Sequence, residues 1–254
     1  MIVLALDTTT REGSVALLDG GRIVDERLGD SSRSHAERLP SEIVALLAAN
    51  GRAIGDVDLF VVASGPGSFT GLRIGIATMQ GLAFVRQRPL VGVSALDAIA
   101  FQAAPELAVG WRLGVWTDAY RREVFAALYE RRPDEDVAVA STGDLDHLKQ
   151  VEGPTVGAPA ATLSRWAAAG VSPTVLAGQG ALLYQDVIVA GVFGARVVDV
   201  LPLAGTLGLI GAARVRRDPV GALGVQPLYI RRPDAEVARE HARADRASEL
   251  TRPD

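Results

Sequence analysis

The stretch "VDLFVVASGPGSFTGLRIG", residues 57–75, joins an apolar strand to a helix through a glycine-rich turn. A continuous apolar run like the one at its start is typical of a strand buried on both faces. The helix is predicted to extend to about Val85, and "PLVGV" at 89–93 predicts the next strand. Together these elements predict one βαβ unit with two parallel strands and a right-handed crossover.

The residues before this unit predict an antiparallel meander. Two apolar strands, 2–6 and 13–18, are followed by Asp19-Gly20-Gly21, which supplies the positive φ angles of a tight hairpin before a third strand, "RIVDERL". Leucine and isoleucine at helical spacing then predict a helix from His35 to Asn50. A further helix from Ser94 to about Ala103 closes the first half.

The second half of the chain repeats the N-terminal pattern. At an offset of 111 residues five pairs are identical, and both copies predict a strand, an acidic turn and a strand. The pairs are Asp7 with Asp118, Arg11 with Arg122, Glu12 with Glu123, Ala16 with Ala127 and Leu17 with Leu128. Similarity at a fixed offset together with the same order of elements indicates a duplicated unit.

Further elements are predicted in the second half. A short helix is expected near 144–150, after the alternating "VAVA" at 137–140, and a longer helix is expected at 203–217. The segment "VQPLYIRR" at 225–232 is expected to form a last strand. The final residues, 231–254, are rich in charge and are expected to form a flexible tail.

Composition limits the classes of function. A chain of 254 residues can bury the core of two small domains. The net charge of −4 argues against autonomous nucleic-acid binding, which needs a basic face, and the lack of cysteine excludes disulfides and thiolate chemistry. No apolar run reaches membrane-spanning length, and an acid at position 7 comes too early for a signal peptide, so a cytoplasmic protein is expected.

The glycine-rich turn departs from two phosphate-binding patterns. Gly65 and Gly71 stand one residue too far apart for a Walker A loop, and Leu72 occupies the position of the required lysine. The dinucleotide pattern G-x-G-x-x-G is nearly met by Gly65, Gly67 and Gly71, but the last gap is one residue too long and no acid ends the next strand. Backbone N–H groups at the start of the helix could still bind an anion.

The same glycines have a structural explanation. Each glycine inside a helix costs about 1 kcal/mol relative to alanine, and Gly71, Gly75 and Gly81 all fall within the predicted helix. A helix that keeps them is expected to approach another backbone closely, along the side that carries Gly71, Gly75 and Thr78. Close packing is therefore the favoured interpretation of this segment.

Asp7 and the three threonines after it lie on the turn that follows the first strand. An acid with neighbouring hydroxyl groups could orient a metal-bound phosphate there, or it could satisfy the open backbone groups of a tight turn. Asp118 on the matching turn has the same two interpretations. The structural interpretation is favoured at both turns, and the other stays open.

No complete hydrolase motif is present. The three histidines, His35, His147 and His241, have no histidine partner at a zinc-binding spacing. The G-x-S-x-G segment of serine hydrolases does not occur. A protease with its own catalytic set is therefore not expected.

Six segments occur in the order in which they are found in one protein family. They are "LALDTTT" at the start, "SHAERL" opening the first helix, "GPGSFTGLRIG", "VSALDAIA", "DAYRREVFAALY" and "PLYIRRPDA". On these segments the chain resembles the TsaB (YeaZ) family from about residue 1 to residue 235. The resemblance implies an α/β actin-like (ASKHA) fold of two RNase H-like domains, with mixed sheets flanked by helices.

This resemblance also gives expected domain limits. The N-terminal RNase H-like domain, 1–105, would bind the partner, and a smaller C-terminal one would span 106–230, with the 203–217 helix able to pack back on the first domain. Two residues depart from the family pattern: Tyr120 stands where arginine is more usual, and Phe125 where tyrosine is usual. These departures weaken the case for a ligand site near Asp118.

A function in tRNA modification is implied as well. TsaB-like proteins are non-catalytic partners of a paralogous enzyme, TsaD. With the ATPase TsaE, that pair transfers the threonylcarbamoyl group from threonylcarbamoyl-adenylate to adenosine 37 of tRNAs that read ANN codons. The paralogue binds its metal through a His-x-x-x-His pair on the first helix, whereas here His35 is followed four residues later by Leu39. No metal and no tightly bound cofactor are therefore expected, and ATP or ADP with Mg²⁺ is expected only at the level of the complex.

The chain is thus predicted to be a subunit that contacts a TsaD-like enzyme through its first two helices. It would reach a TsaE-like ATPase and tRNA through the complex, stay off membranes, and form homodimers when isolated. The expected interface residues, some of which must face the sheet instead, are Leu39, Ile43, Leu46, Leu47, Gly71, Leu72, Gly75, Ile76 and Met79.

A residual anion or nucleotide site is also predicted. Its expected residues are Asp7, Thr8, Gly65, Gly67, Ser68, Thr70 and Asp118. The alternative function is a self-sufficient ATPase or sugar-kinase-like enzyme of the same fold, with Asp7, Thr8 and the 65–67 loop around a nucleotide. It would need an adenosine pocket in the second half, for which "VLAGQGALL" at 175–183 is the candidate.

Overall fold

Two five-stranded sheets form the centre of the structure, a computed structural model that describes residues 1–132, 143, 145–217 and 224–231. The first sheet contains β1 (Ile2–Asp7), β2 (Ser14–Asp19), β3 (Arg22–Leu28), β4 (Leu59–Gly65) and β5 (Leu90–Ser94). The second contains β6 (Arg112–Asp118), β7 (Val124–Arg131), β8 (Leu148–Gly157), β9 (Val175–Ala177) and β10 (Arg196–Val198). The predicted meander and the first βαβ unit are both confirmed.

The two sheets have the same topology. The strand order is β3-β2-β1-β4-β5 in the first and β8-β7-β6-β9-β10 in the second. In each sheet the central strand pairs antiparallel with the next strand in sequence and parallel with the fourth. The duplication predicted from the 111-residue offset is therefore confirmed at the level of topology.

Helices cover the outer faces of both sheets and fill the space between them. They are α1 (His35–Ala49), α2 (Phe69–Arg86), α3 (Ala95–Ala103), α4 (Pro159–Ala168), α5 (Gln179–Leu183), α6 (Gln185–Gly191) and α7 (Ala204–Arg217). α1 and α2 pack on one face of the first sheet, and α3 and α7 on the other. α3 also contacts the second sheet, so one apolar core extends between the two sheets.

The apolar composition of the central strands follows from this arrangement. In β1, Leu4 and Leu6 point into the core beneath α1 and α2, whereas Val3 and Ala5 point into the core shared with α3 and α7. A strand covered on both faces needs apolar residues at every position. The helix predicted at 203–217 is α7, and it lies against the first sheet so closely that a Cβ atom on Gly211 would fall 2.5 Å from the side chain of Val61.

Two predicted elements are wrong over the described residues. The helix near 144–150 is absent there, because Asp146 and His147 form a turn and β8 begins at Leu148, where pairing with Arg131 of β7 decides the conformation. Residues 224–231 form no strand ladder, and their one backbone bond to β4 runs from Leu228 N–H to Ser64 O. Pro227 has no N–H to offer a neighbouring strand.

Other predictions stay untested. The predicted alternation at 137–140 and most of the tail lie outside the described residues. The exact domain limit at residue 105 also stays a prediction. None of the helices in the described part of the chain combines the length and the apolar composition needed to cross a membrane.

Candidate functional site

The turn between β1 and β2, residues 7–13, is hereafter called the threonine turn. Oδ1 of Asp7 accepts the N–H of Thr9 at 2.8 Å, and Oγ1 of Thr10 accepts the N–H of Gly13 at 3.0 Å. Asp7, Thr8 and Thr9 are all buried. The side chains of Asp7 and Thr10 therefore satisfy backbone groups of their own turn, as the structural interpretation of the sequence predicted.

The glycine-rich segment packs directly on the threonine turn. A Cβ atom on Gly71 would lie 2.2 Å from the carbonyl oxygen of Thr8, and one on Gly75 would lie 2.2 Å from Oγ1 of Thr8. Ser68 begins the contact by donating its N–H to the carbonyl oxygen of Thr9 at 2.7 Å. Close approach is confirmed as the reason for Gly71 and Gly75, whereas a Cβ atom on Gly81 would meet open space.

The predicted anion-site residues divide into three groups. Asp7, Thr8, Gly65, Gly67 and Ser68 meet where the carboxyl ends of β1 and β4 lie side by side. Thr70 is exposed on α2, and Asp118 lies at the end of β6 in the second sheet. At the start of α2, Oγ of Ser68 accepts the N–H of Gly71 at 3.2 Å, so part of the helix terminus is already capped. Binding of an anion or nucleotide there stays a prediction.

Electrostatics at the threonine turn disfavour an additional negative charge. Burial raises the pKa of the Asp7 carboxyl above its ordinary value, although hydrogen bonds from Thr9 oppose the shift. Burial also raises the pKa of Glu26, and the neighbouring charge of Asp7 adds to this effect. Oε1 of Glu26 accepts the N–H of Gly205 at the start of α7, at 2.8 Å. The carboxyls of Asp7 and Glu26 thus lie near each other, largely shielded from water, beside the N-terminus of α7.

His35 at the start of α1 is held by hydrogen bonds through both ring nitrogens. Nε2 lies 2.9 Å from the carbonyl oxygen of Thr10 and must donate to it, and Nδ1 lies 2.8 Å from Nη2 of Arg38 and must accept from it. Burial lowers the pKa of His35, and the nearby Arg38 lowers it further, so the ring is neutral at pH 7. No ring lone pair is left for a metal ion.

Arg38 is a structural residue that the sequence did not reveal. Its side chain is almost fully buried, donates to the carbonyl oxygens of Arg11 and Glu12, and pairs with Glu42 at 2.6 Å. The only feature of the sequence that could have indicated its burial was its position beside Leu39, on the inward face of an amphipathic helix. The Asp, Glu and His side chains of the described ranges form no group of three that could hold a metal ion.

Comparison with known proteins identifies the family. The family model "TsaD: tRNA N6-adenosine threonylcarbamoyltransferase" matches residues 29–202. An uncharacterised protein of Mycobacterium tuberculosis H37Rv is 34% identical over 237 residues, which cover 92% of this chain and 93% of that protein. The solved structure "YeaZ from Pseudomonas aeruginosa" matches with a TM-score of 0.68 and 32% identity, covering 90% of this chain and 99% of that one. The chain belongs to the TsaB (YeaZ) family.

A characterised relative agrees with this assignment. The tRNA threonylcarbamoyladenosine biosynthesis protein TsaB of Escherichia coli K12 is 37% identical over 131 residues, 52% of this chain and 56% of that protein. The two matching mixed sheets and the YeaZ structure confirm the actin-like, two-domain α/β fold expected from the sequence.

In this TsaB-family chain, the residues predicted to form the partner interface point inward. All nine are buried between α1, α2 and the first sheet: Leu39, Ile43, Leu46, Leu47, Gly71, Leu72, Gly75, Ile76 and Met79. The stripe of large apolar residues on an amphipathic helix is used first by the protein's own core. These nine residues therefore belong to the protein's own core and not to an exposed interface. The prediction that a partner binds this helix pair is not affected.

The outward faces of the same helices carry small and apolar residues. On α1 they recur every four positions, as Ala36, Pro40, Val44 and Ala48, and Val44 is 66% exposed. On α2 the exposed small and apolar residues after Arg73 are Ala77, Gly81, Phe84 and Val85. A hydropathy pattern does not separate alanine and glycine on a surface from those in a core, so this face could not be recognised from the sequence.

Residues 224–231, hereafter called the strap, connect the two halves of the TsaB-family fold. Gln80 of α2 donates to the carbonyl oxygen of Val225 at 3.0 Å, and Nε of Arg73 lies 2.9 Å from the hydroxyl of Tyr229. At the other end Arg231 donates to the carbonyl oxygen of Ala119 at 2.8 Å and pairs with Glu123. The strap therefore ties α2 to the turn between β6 and β7.

That second turn, residues 118–123, is hereafter called the arginine turn. Oδ1 of Asp118 accepts the N–H of Tyr120 at 2.9 Å, which repeats the bond between Asp7 and Thr9. Tyr120, Arg121 and Arg122 are exposed and have φ angles of 58°, 56° and 63°, in the left-handed region. The segment "VLAGQGALL" packs beneath, with Gly178 and Gly180 close to the backbone of β6.

Proposed function

We propose that this chain acts in the formation of threonylcarbamoyladenosine (t6A) in tRNA, as a non-catalytic subunit that binds and activates a TsaD-like enzyme. Relatives from E. coli, Haemophilus influenzae and Bacillus subtilis carry the name "tRNA threonylcarbamoyladenosine biosynthesis protein TsaB". The family model that matches the chain is described as a tRNA threonylcarbamoyltransferase. Both support a role in this modification.

The observation that carries the non-catalytic role is the environment of His35. The catalytic paralogue is expected to use a histidine pair on this helix, but here the second position is Leu39, which is buried in the core. Both ring nitrogens of the remaining histidine are hydrogen-bonded, one to Thr10 and the other to Arg38. This chain's residues therefore do not fit a metal at that place. We infer that transfer of the threonylcarbamoyl group to adenosine 37 takes place on the partner.

We propose that the partner binds the outward faces of α1 and α2. Phe84 and Val85 are 65% and 76% exposed, and the small side chains of Ala77 and Gly81 beside them allow another helix to approach closely. Exposed apolar surface of this kind is typical of protein interfaces. A paralogue built on the same fold would present its own equivalent helix pair, and a second copy of this chain would do the same in homodimers.

Activation would follow from differential contact. A subunit shifts an enzyme toward its active conformation only if it binds that conformation more tightly than the inactive one. The rigid packing of α2 on the threonine turn gives this chain a fixed surface against which the enzyme can be held. Hydrolysis of ATP with Mg²⁺ is assigned to a TsaE-like ATPase in the same complex.

Reconstitution tests the proposed function. A TsaD-like enzyme, a TsaE-like ATPase, threonylcarbamoyl-adenylate and an unmodified ANN-decoding tRNA transcript are combined with and without this chain, and t6A is measured by mass spectrometry of nucleosides. We expect modification to depend on the chain, and an unchanged rate without it would contradict the proposal. Micromolar binding of ATP and its turnover by the isolated chain would instead support the alternative of a self-sufficient ATPase.

The substitution Gly81→Arg tests the interface. Because a side chain at this position enters open space, the fold should be retained, while a long charged group would stand on the proposed contact. We expect loss of co-elution with the TsaD-like enzyme and loss of the homodimer. Ala168→Arg at the exposed end of α4 is the matched control and should leave both associations unchanged. Retained co-elution of the Gly81→Arg variant would place the interface elsewhere.

A further inference from the structure

Aromatic and arginine side chains form a preassembled cluster where the strap crosses α2. Phe69 and Tyr229 are 42% and 41% exposed, and their ring centroids are 5.2 Å apart. The guanidinium carbon of Arg73 lies 3.8 Å from the centroid of Phe69, and its Nε donates to the hydroxyl of Tyr229. Hydrogen bonding and cation–π contact thus fix the side chains before any ligand arrives.

The arginine turn continues this cluster on the second half of the molecule. Tyr120 is 54% exposed, and Arg121 and Arg122 beside it are exposed as well. Arg231 binds the turn through Ala119 and Glu123. Tyr229 and Arg231 are two residues apart on the strap, and their contacts with Arg73 and with the turn link the two parts. We call them together the stacking surface: Phe69, Arg73, Tyr120, Arg121, Arg122 and Tyr229.

The backbone of the arginine turn supports a binding role. Three consecutive non-glycine residues in the left-handed region cost on the order of 1 kcal/mol each. Such strain persists where surrounding contacts hold it, and it concentrates at functional sites. Here the bonds from Arg231 and from the Asp118 carboxylate hold the turn in place.

The charge of the stacking surface is opposite to that of the whole chain. The chain has a net charge of −4, but three arginines lie on this surface. Of the acids in the arginine turn, Asp118 accepts the N–H of Tyr120 and Glu123 pairs with Arg231. Three of the six most exposed aromatic side chains in the described ranges are here: Phe69, Tyr120 and Tyr229. Exposed rings with interspersed guanidinium groups match unpaired bases joined by phosphates.

We propose that the stacking surface binds RNA with unpaired bases. Bases would stack on the exposed rings, and the exposed guanidinium group of Arg122 would contact a phosphate. This inference rests on the proposed function, within which the RNA is the tRNA substrate held jointly by the complex. It adds that this subunit contributes RNA contacts of its own and does not act on the enzyme alone.

Binding of tRNA to the assembled complex tests the inference. The double variant Phe69→Ala/Arg122→Glu removes one ring and reverses one charge on the stacking surface. The matched control, Phe193→Ala/Arg22→Glu, makes the same chemical changes at exposed positions elsewhere. The dissociation constant of a fluorescently labelled tRNA transcript is measured by anisotropy over a salt series. We expect about tenfold weaker binding and a shallower salt dependence for the first variant, and no change for the control.

The outcomes separate this inference from the proposed function. Weaker tRNA binding by a complex that still assembles supports the stacking surface, and unchanged binding overturns it. Loss of assembly with the TsaD-like enzyme would show a protein contact here and would overturn it as well. If the Phe69→Ala/Arg122→Glu variant does not fold, Tyr120→Ala provides the same readout from the exposed turn. Failure of the proposed function is read independently, from modification that proceeds without this chain.

Discussion

The threonine turn and the arginine turn occupy equivalent positions in the two sheets but have diverged in opposite directions. In both, an aspartate at the end of the central strand accepts an N–H two residues later, at 2.8 Å from Thr9 and 2.9 Å from Tyr120. Asp7, Thr8 and Thr9 of the threonine turn are buried under α1 and α2. The arginine turn is exposed and in contact with the strap.

The helices that follow explain this difference. The connection between β4 and β5 contains α2, which is 18 residues long and packs Gly71 and Gly75 on the threonine turn. The equivalent connection between β9 and β10 contains α5 and α6, which are only 5 and 7 residues long. The first copy of the turn has thereby become a packing element, and the second has kept an open face on which a ligand can bind.

The largest expected effect comes from filling the contact between α2 and the threonine turn. In the variant Gly75→Ala the new methyl group would lie 2.2 Å from Oγ1 of Thr8, and both groups are confined by the core. We expect the free energy of unfolding to fall by about 2 kcal/mol through overpacking. Urea unfolding followed by circular dichroism measures the change.

Gly81→Ala is the matched control, since it makes the same substitution in the same helix where a Cβ atom meets open space. Alanine is the better helix former, so this variant should gain up to about 1 kcal/mol of stability. If both variants gain stability, the close contact between α2 and the threonine turn does not exist in solution.

The sequence was sufficient to predict the elements of the first half and the duplication, because both depend on local periodicity. It also predicted that Gly71 and Gly75 serve close packing, since their helical cost needs a compensating contact. It did not predict which face of α1 and α2 is free, because alanine and glycine at positions such as Ala77 and Gly81 carry no hydropathy signal. The strap was missed for a different reason: its contact between Arg73 and Tyr229 joins residues 156 positions apart.

A smaller effect is expected from Asp7→Asn, which removes a buried charge from the threonine turn. Burial raises the folded-state pKa of Asp7 above its value of 3.8 in the unfolded chain, so the carboxyl's contribution to stability is lost as pH rises through the folded-state pKa. The asparagine can still accept the N–H of Thr9. We expect the Asp7→Asn variant to be more stable than the wild type at pH 7, by less than the change expected for Gly75→Ala. At about pH 3 the variant and the wild type should be similarly stable.

Unfolding measured at several pH values and one protein concentration tests this effect. The pKa of His35 is lowered in the folded state, so its contribution to stability is lost in the opposite direction, as pH falls below its unfolded-state pKa. This residue is present in both proteins. Their difference therefore reports on Asp7 together with the two groups whose pKa its charge raises, Glu26 and His35. A variant that is less stable than the wild type at pH 7 would mean that the Asp7 carboxylate has a stabilising partner in solution.

The smallest effect is expected from Asp118→Asn, the equivalent substitution in the arginine turn. Asp118 is only partly buried, and asparagine can accept the N–H of Tyr120 in the same geometry. We expect the free energy of unfolding to change by less than about 0.5 kcal/mol, as for most surface substitutions. A change as large as that of Asp7→Asn would contradict the contrast between a buried and an open turn. Because the variant removes a negative charge beside Arg121 and Arg122, it should also bind the tRNA transcript at least as tightly as the wild type within the complex.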